Sequence, residues 1–328
     1  MVKTIYIYVS DLATYIGQNK WNISLTFERF WKSADQSSYK NALNKFSETI
    51  ADNVAQKKEI NLKLLELEQN KEIDVVEKVK QEKILVTKSQ KIEKEIAKTE
   101  QLKDNIVLTE KEKIEKVVGK EILAKITESN ADVNLKKEIV KETIEKQDIK
   151  LTPKIKQHIE SSISKQHGTE FEFDVVKVFE KEYNCKLDIS QKSFRYTILH
   201  GDTEWIICGK CDGICLEDDF IVEIKNRMHK FFDQVRDYEL SQVQMYMLLT
   251  GIHEAQLVQR FNRQIRVDNI MYDKDYTDLV LKRLEPFMEF FTNFINETDK
   301  QVKYIGMTEK QKETFLKKNF ISKALKIN

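Results

Sequence analysis

Long apolar runs are missing: no eighteen apolar residues stand in a row, so no helical membrane span can be read. Met1 to Tyr8 lack the basic-then-apolar layout of a secretion signal. Cysteine is scarce. The four present, Cys185, Cys208, Cys211 and Cys215, are too few for a disulfide scaffold and read as reduced thiols in an intracellular compartment. An excess of one charge is missing as well. Lys and Arg total 55 against 54 Asp and Glu, which excludes a uniform basic coat for nucleic acid but not a local basic groove. Glycine and proline all but vanish from the middle of the chain: between Asn19 and Gln166 only Gly119 and Pro153 remain to interrupt helix.

What is there divides into zones. The 41% hydrophobic and 9% aromatic content of the 328 residues suffices for a core. Residues 1–38 are mixed and aromatic. Ser10 is placed to cap a helix ended by Gly17, and a second helix is expected from about Ser24. Residues 39–165 are rich in Lys, Glu, Ile and Leu. Thr87 and Thr109 head capping-box patterns, and Thr152-Pro153 fits a helix start. This zone reads as imperfect repeats of short capped helices, either a solvated spacer or an arm for DNA or a partner. Residues 166–298 have an α/β pattern. Helices are expected at about 170–183, 233–250 and 275–296, and strands at 193–199, 205–211, 220–225 and within 254–262. Residues 299–328 form a lysine-rich tail with a capped helix from Thr308, either touching phosphate or ending in solvent. The run Phe287, Phe290, Phe291 and Phe294 reads as helical core.

The chemistry concentrates in Cys211-Asp212-Gly213 through Val222-Glu223-Ile224-Lys225. It reads as a hairpin. Side chains alternate along a strand, so Glu223 and Lys225 share a face that Asp212 can meet from across the turn. Two carboxylates and an ammonium on one sheet face are costly unless they have a task. A hard divalent cation, Mg²⁺ or Mn²⁺, resolves the conflict, since it takes oxygen ligands and activates water at a phosphate. Lys225 would position or deprotonate that water.

Asp212, ten intervening residues, then Glu223-Ile224-Lys225 resembles the PD-(D/E)XK nuclease superfamily, with Cys211 where the motif's proline would stand. Upstream is His167-Gly168-Thr169-Glu170-Phe171-Glu172, and downstream Ser241-Gln242-Val243-Gln244-Met245-Tyr246 with closing Thr250-Gly251. Together with Val9-Ser10-Asp11-Leu12-Ala13, these blocks are similar to the phage lambda exonuclease-like, YqaJ-type viral recombinase branch. The resemblance covers residues 1 to about 35 and 166 to about 296, with 39–165 as a large helical insertion. It implies a restriction-endonuclease-like α/β core, a mixed central sheet flanked by helices. It also implies a Mg²⁺- or Mn²⁺-dependent 5′-to-3′ exonuclease on duplex DNA ends, serving recombination, replication or repair in a viral or phage setting. A single-strand annealing partner and a homo-oligomer belong to the same expectation. By position, Glu172, Asp212, Glu223 and the Ile224 carbonyl would hold metal, Lys225 would act on the nucleophile, and Gln242 would orient water or phosphate. Ser10, with Lys3, would contact a DNA phosphate.

Alternatives stand beside these roles. Asp212, Glu223 and Lys225 are also what a plain charged hairpin would show. Glu170 competes with Glu172, and Gln244 with Gln242. Arg227 would hold a phosphate or pair with an acid. Two rival functions remain: an endonuclease with the same core, and a nuclease-derived, non-catalytic DNA-binding scaffold.

Overall fold

The computed structural model describes residues 3–69, 73–107, 142, 172–262 and 264–328. The chain divides into two units, Met1–Ala34 with Glu110–Asn293 and Glu313–Asn328, and Asp35–Thr109 with Phe294–Lys312.

The described part of the first unit is mixed α/β, with two sheets flanked by helices. One sheet has the order β1-β4-β3, from β1 (Lys3–Tyr8), β3 (Phe194–His200) and β4 (Thr203–Gly209). The other has the order β2-β5-β6-β7-β8, from β2 (Leu187–Asp188), β5 (Gly213–Cys215), β6 (Phe220–Asn226), β7 (Glu254–Phe261) and β8 (Gln264–Met271). β1 runs parallel to β4 and β6 parallel to β7; the other pairings are antiparallel. In chain order the helices are α1 (Val9–Tyr15), α2 (Ile23–Ala34), α3 (Gln36–Gln69), α4 (Val75–Val107), α5 (172–183), α6 (Asp237–Thr250), α7 (Lys274–Phe294), α8 (Thr298–Ile305) and α9 (Glu309–Leu316).

Alternation builds two cores. Ile5 and Ile7 of β1 and Trp205 and Ile207 of β4 turn inwards. Below them aromatic rings interlock: Tyr15 stacks on Phe287 at 4.1 Å, Phe30 meets Phe291 edge-on at 4.7 Å, and Phe320 meets Phe287 at 5.1 Å. Each fully buried ring stabilises by roughly 1.5–3 kcal/mol. The second core packs Val175, Val176 and Phe179 of α5 on Phe220, Val222 and Ile224 of β6 and Val258 of β7. Those inward positions of β6 leave Glu223 and Lys225 for its opposite face. A parallel β6–β7 pair needs a crossover, and α6 provides it.

In the second unit α3 and α4 are two long helices side by side; Lys57 reaches Glu93 across them at 2.7 Å. α8 packs on α3, and a Cβ on Gly306 would come within 3.0 Å of the Phe46 ring.

Several expectations need correction. Short capped helices are not what the described part of 39–165 contains. Thr87 lies inside α4, where its hydroxyl bonds the Lys83 carbonyl at 2.7 Å instead of capping. The cap that starts α4 is Asp74, which accepts from the Val76 and Glu77 N–H groups at 3.2 and 3.4 Å. Thr109, Thr152 and Pro153 lie outside the described residues. Ser10 is not a cap either: Tyr8 holds that position and Ser10 sits exposed in the first turn of α1. α6 begins at Asp237, not near Asp233: its cap, Arg236, is in extended backbone. β1, β2, β5 and β8 were not expected; β1 carries a clean alternation, and β8 exists as the hairpin partner of β7. The tail is not wholly solvated: Phe320, Ile321 and Ala324 are buried, while Leu325 is exposed. Thr308 does start its helix, trading bonds with Gln311 at 2.9 and 3.4 Å. Phe287, Phe290, Phe291 and Phe294 are all buried.

Candidate active site

Residues Lys210 to Asp212 carry the chain out of β4 and into β5, so Asp212 stands at the junction of the two sheets. Its carboxylate accepts the Ile224 N–H at 2.7 Å, which ties it to the middle of β6. From β6 the Lys225 ammonium donates to Glu223 Oε1 at 2.7 Å and to Gln242 Oε1 at 3.0 Å. The Gln242 amide closes the ring by donating to the same Glu223 oxygen at 2.9 Å and to the Tyr246 hydroxyl at 3.2 Å. Gln242 and Tyr246 are one turn apart on α6 and face the sheet together.

This knot is out of water. The Lys225 and Glu223 side chains are 22% and 6% exposed. Burial pushes the Glu223 carboxyl up to about 8, with Lys225 opposing and Asp212 reinforcing the shift. Burial also raises Asp212, against the pull of the Ile224 N–H and of Lys225. Glu172, half-buried at the start of the described α5, is raised first by burial and then by the charge of Asp212. Lys225 suffers burial too, but the charge and hydrogen bond of Glu223 outweigh it and hold the ammonium above its ordinary value. One acceptor is left over: Glu223 Oε2 is buried with no hydrogen-bond partner. Buried acceptors are normally satisfied, so this oxygen, among the charged groups of the knot, is free to take a ligand.

No three His, Cys, Asp or Glu side chains among the described residues converge closely enough to enclose a metal ion by themselves. The donor set nonetheless fits a hard cation of the Mg²⁺ kind, which is held by one or two carboxylates plus water and substrate oxygens. Asp212 and Glu223 supply the carboxylates; burial raises both and Glu172, the charge of Asp212 adds to the shift at Glu172 and Glu223, and a divalent charge would relieve it.

The remaining sequence candidates fall elsewhere. Glu170 lies outside the described residues. Gln244 is buried on another face of α6, bonding the Met271 carbonyl at 2.8 Å and the Asp273 N–H at 2.9 Å, so of the two glutamines only Gln242 reaches Lys225. Arg227, read as holding a phosphate or pairing with an acid, is paired with an acid here. Its fork is bidentate to Glu239 at 2.6 and 2.9 Å, its Nε donates to Gln259 at 2.8 Å, and its face lies on Phe232 at 4.0 Å. Gln259 in turn holds both the N–H and the carbonyl of Phe232, at 2.9 and 3.1 Å, fixing the loop between β6 and α6. Lys3 is the first residue of β1 and Ser10 lies in α1 past its last, Tyr8, so roughly 17 Å of strand stands between them. All four cysteines are free and buried, and burial raises the Cys211 and Cys185 thiols to about 12 and about 11.

Two contributors escaped the sequence reading. Tyr246 supports Gln242, and its i, i+4 spacing from Gln242 was the available signal. Gly209 makes room for it: a Cβ there would sit 2.6 Å from the Tyr246 ring.

Comparison with known proteins bears on this site. No curated protein matches the chain. Among solved structures, LHK-Exo, an alkaline exonuclease from Laribacter hongkongensis, is 15% identical with a TM-score of 0.32, covering 62% of this chain and 97% of that one. Its complex with dAMP gives 15% and 0.32 over 60% and 92%. The crystal structure of SSO0001 gives 15% and 0.31 over 52% and 84%. The model of the YqaJ-like viral recombinase domain matches residues 114–253. That span begins inside the charged helical zone and contains Glu172, Asp212, Glu223, Lys225, Gln242 and Tyr246. Over residues 114–253 the chain is similar to the YqaJ-like viral recombinase domain.

Proposed function

We propose that this protein is a divalent-cation-dependent DNA exonuclease that hydrolyses phosphodiester bonds from duplex ends, 5′ to 3′, in recombination, replication or repair of the viral or phage kind. The observation that carries the reading is the buried Lys225–Glu223–Gln242 knot beside Asp212, with Glu223 Oε2 unsatisfied. Asp212 and Glu223 would hold Mg²⁺ or Mn²⁺, with Glu172 and the Ile224 carbonyl completing the set. The ion supplies Lewis-acid activation of water and neutralises charge at the phosphate.

The chain's own groups do the positioning. Lys225 has three N–H donors and spends two on Glu223 and Gln242. The third, on a side chain that is 22% exposed, is available to an attacking water or a phosphate oxygen. As an ammonium donating to Glu223 and Gln242, Lys225 would orient the attacking water and stabilise developing negative charge. Gln242 fixes both partners at once, its carbonyl on Lys225 and its amide on Glu223, and Tyr246 fixes Gln242. Ser10 remains a candidate for the terminal phosphate. An annealing protein and a second copy of the chain are the partners that fit such an enzyme.

The test is digestion of end-labelled linear duplex and of closed circular duplex with Mg²⁺, Mn²⁺ or EDTA. Metal-dependent nucleotide release from linear DNA alone, starting at the 5′ label, is expected. Equal cutting of the circle would replace the exonuclease by an endonuclease. No cutting by folded protein with either metal would contradict the enzyme and favour a DNA-binding scaffold.

A further inference from the structure

The β1-β4-β3 sheet has an outer face that the catalytic argument does not use. On β1, Ile5 and Ile7 are 1% and 0% exposed, while Tyr6 and Tyr8 stand out at 43% and 56%. Strand register sets their neighbours. Tyr6 lies beside Ile206 and, across it, Thr197; Tyr8 lies beside Cys208 and, across it, Arg195. Ile206 and Cys208 form a buried floor, and Thr197 and Arg195 are exposed. Arg195 leans over the Tyr6 ring at 5.8 Å, and no carboxylate among the described residues pairs with it.

These features select an occupant. Rings two residues apart on a strand are roughly 6.6 Å apart. An extended single strand can match that spacing with one unpaired base per ring, whereas a duplex keeps its bases stacked on one another. Stacking on an aromatic sheet face with a cation for the backbone is how single strands are held without sequence preference. Charge is graded along the face. Its carboxylate, Glu204, takes the Thr4 hydroxyl at 2.9 Å at one end, and Arg195 stands at the other. The Arg195 end is also the end from which β4 runs on to Asp212, four residues past Cys208 and roughly 13 Å away along the chain.

We infer that this face is a single-stranded DNA platform: Tyr6 and Tyr8 stack on two unpaired bases and Arg195 takes an adjoining phosphate. It fits the strand left unpaired when its complement is degraded, and the choice of DNA rests on the nuclease reading above.

The experiment measures anisotropy of a fluorescein-labelled oligo(dT) with the whole protein in EDTA, where cleavage is off. Replacing both tyrosines (Tyr6→Ala with Tyr8→Ala) should weaken binding about tenfold for each ring lost, while the Tyr6→Phe, Tyr8→Phe protein keeps most of the affinity. Arg195→Gln should flatten the dependence of log affinity on log salt by about 0.7. Photocrosslinking of wild-type protein to a bromodeoxyuridine oligonucleotide, read by peptide mapping, covers the case in which the alanine protein fails to fold; adducts at Tyr6 or Tyr8 are expected. Unchanged affinity in a folded alanine protein, or crosslinks that all miss β1, overturns the platform. Tighter binding of oligo(rU) than of oligo(dT) overturns the DNA assignment. Protein that crosslinks through β1 yet cuts no DNA with Mg²⁺ or Mn²⁺ contradicts the nuclease and leaves the platform standing. Protein that cuts duplex while its crosslinks miss β1 overturns the platform alone.

Discussion

Two Glu–Lys pairs in this chain have nearly the same length and opposite natures. On α3, Glu59 and Lys63 meet at 2.5 Å with side chains 63% and 55% exposed. On β6, Glu223 and Lys225 meet at 2.7 Å with side chains 6% and 22% exposed. The hydrogen bond from Lys63 holds the Glu59 carboxyl below its ordinary value, as expected where water solvates both charges. Burial drives Glu223 the other way, to about 8, although its lysine is just as close. The contact does not decide; the solvent does. In the first pair water can satisfy every remaining lone pair. In the second Gln242 satisfies some, and one oxygen of Glu223 goes without. A buried carboxylate left in that condition is destabilising unless something binds there, which separates a functional pair from a decorative one.

The contrast can be broken in stages. The largest effect on stability is expected where burial is deepest, at Arg227 and Glu239, 9% and 2% exposed. Arg227→Ala leaves Glu239 charged and unpaired and should cost about 3–5 kcal/mol in urea denaturation. A loss below about 1 kcal/mol would mean that the pair is wetter than its geometry.

Next comes the pH dependence of the metal-free protein. Glu223 keeps its proton to about pH 8 when folded and only to its ordinary value of 4.5 when unfolded. Between those limits the folded state binds the extra proton, so stability is highest at the acid end and falls as pH rises towards 8. The drop should be on the order of a few kcal/mol. Denaturation in EDTA across that range measures it, and Glu223→Gln should flatten it. A curve that rises with pH in wild type and stays unchanged in the variant would show Glu223 behaving like Glu59.

A smaller effect is expected at Gly209. Its Ala variant pushes a Cβ against the Tyr246 ring, at 2.6 Å before relaxation, and should cost about 1–3 kcal/mol. Because Tyr246 steadies Gln242, cleavage should slow beyond what the lowered melting temperature explains. Unchanged cleavage would remove Tyr246 from the positioning chain. The smallest effect is expected at Lys63→Ala, which should leave both melting temperature and cleavage within error, since water replaces the lost partner.

How much of this is legible without coordinates follows from the range of each interaction. Asp212, Glu223 and Lys225 are legible because strand alternation and a short turn bring them together over a dozen residues. Gln242 is legible as a polar residue on the helix that must follow. Tyr246 is legible only once Gln242 is known to face the sheet. Arg227 is not, because its direction is set by Gln259, 32 residues on, and by the loop that Gln259 pins. The parallel pairing of β1 with β4, some 200 positions away, has no local signal at all. Thr87 misleads for a chemical reason: the hydroxyl that can cap a helix can equally bond back to the carbonyl four residues before it.

The measurement that bears most directly on the account is cleavage of linear duplex with Mg²⁺ or Mn²⁺ by Lys225→Ala, with Lys63→Ala run beside it. The account predicts that the first falls by about 10²–10³-fold, with its fold intact by circular dichroism, while the second cuts like wild type. Equal cleavage by both would contradict it.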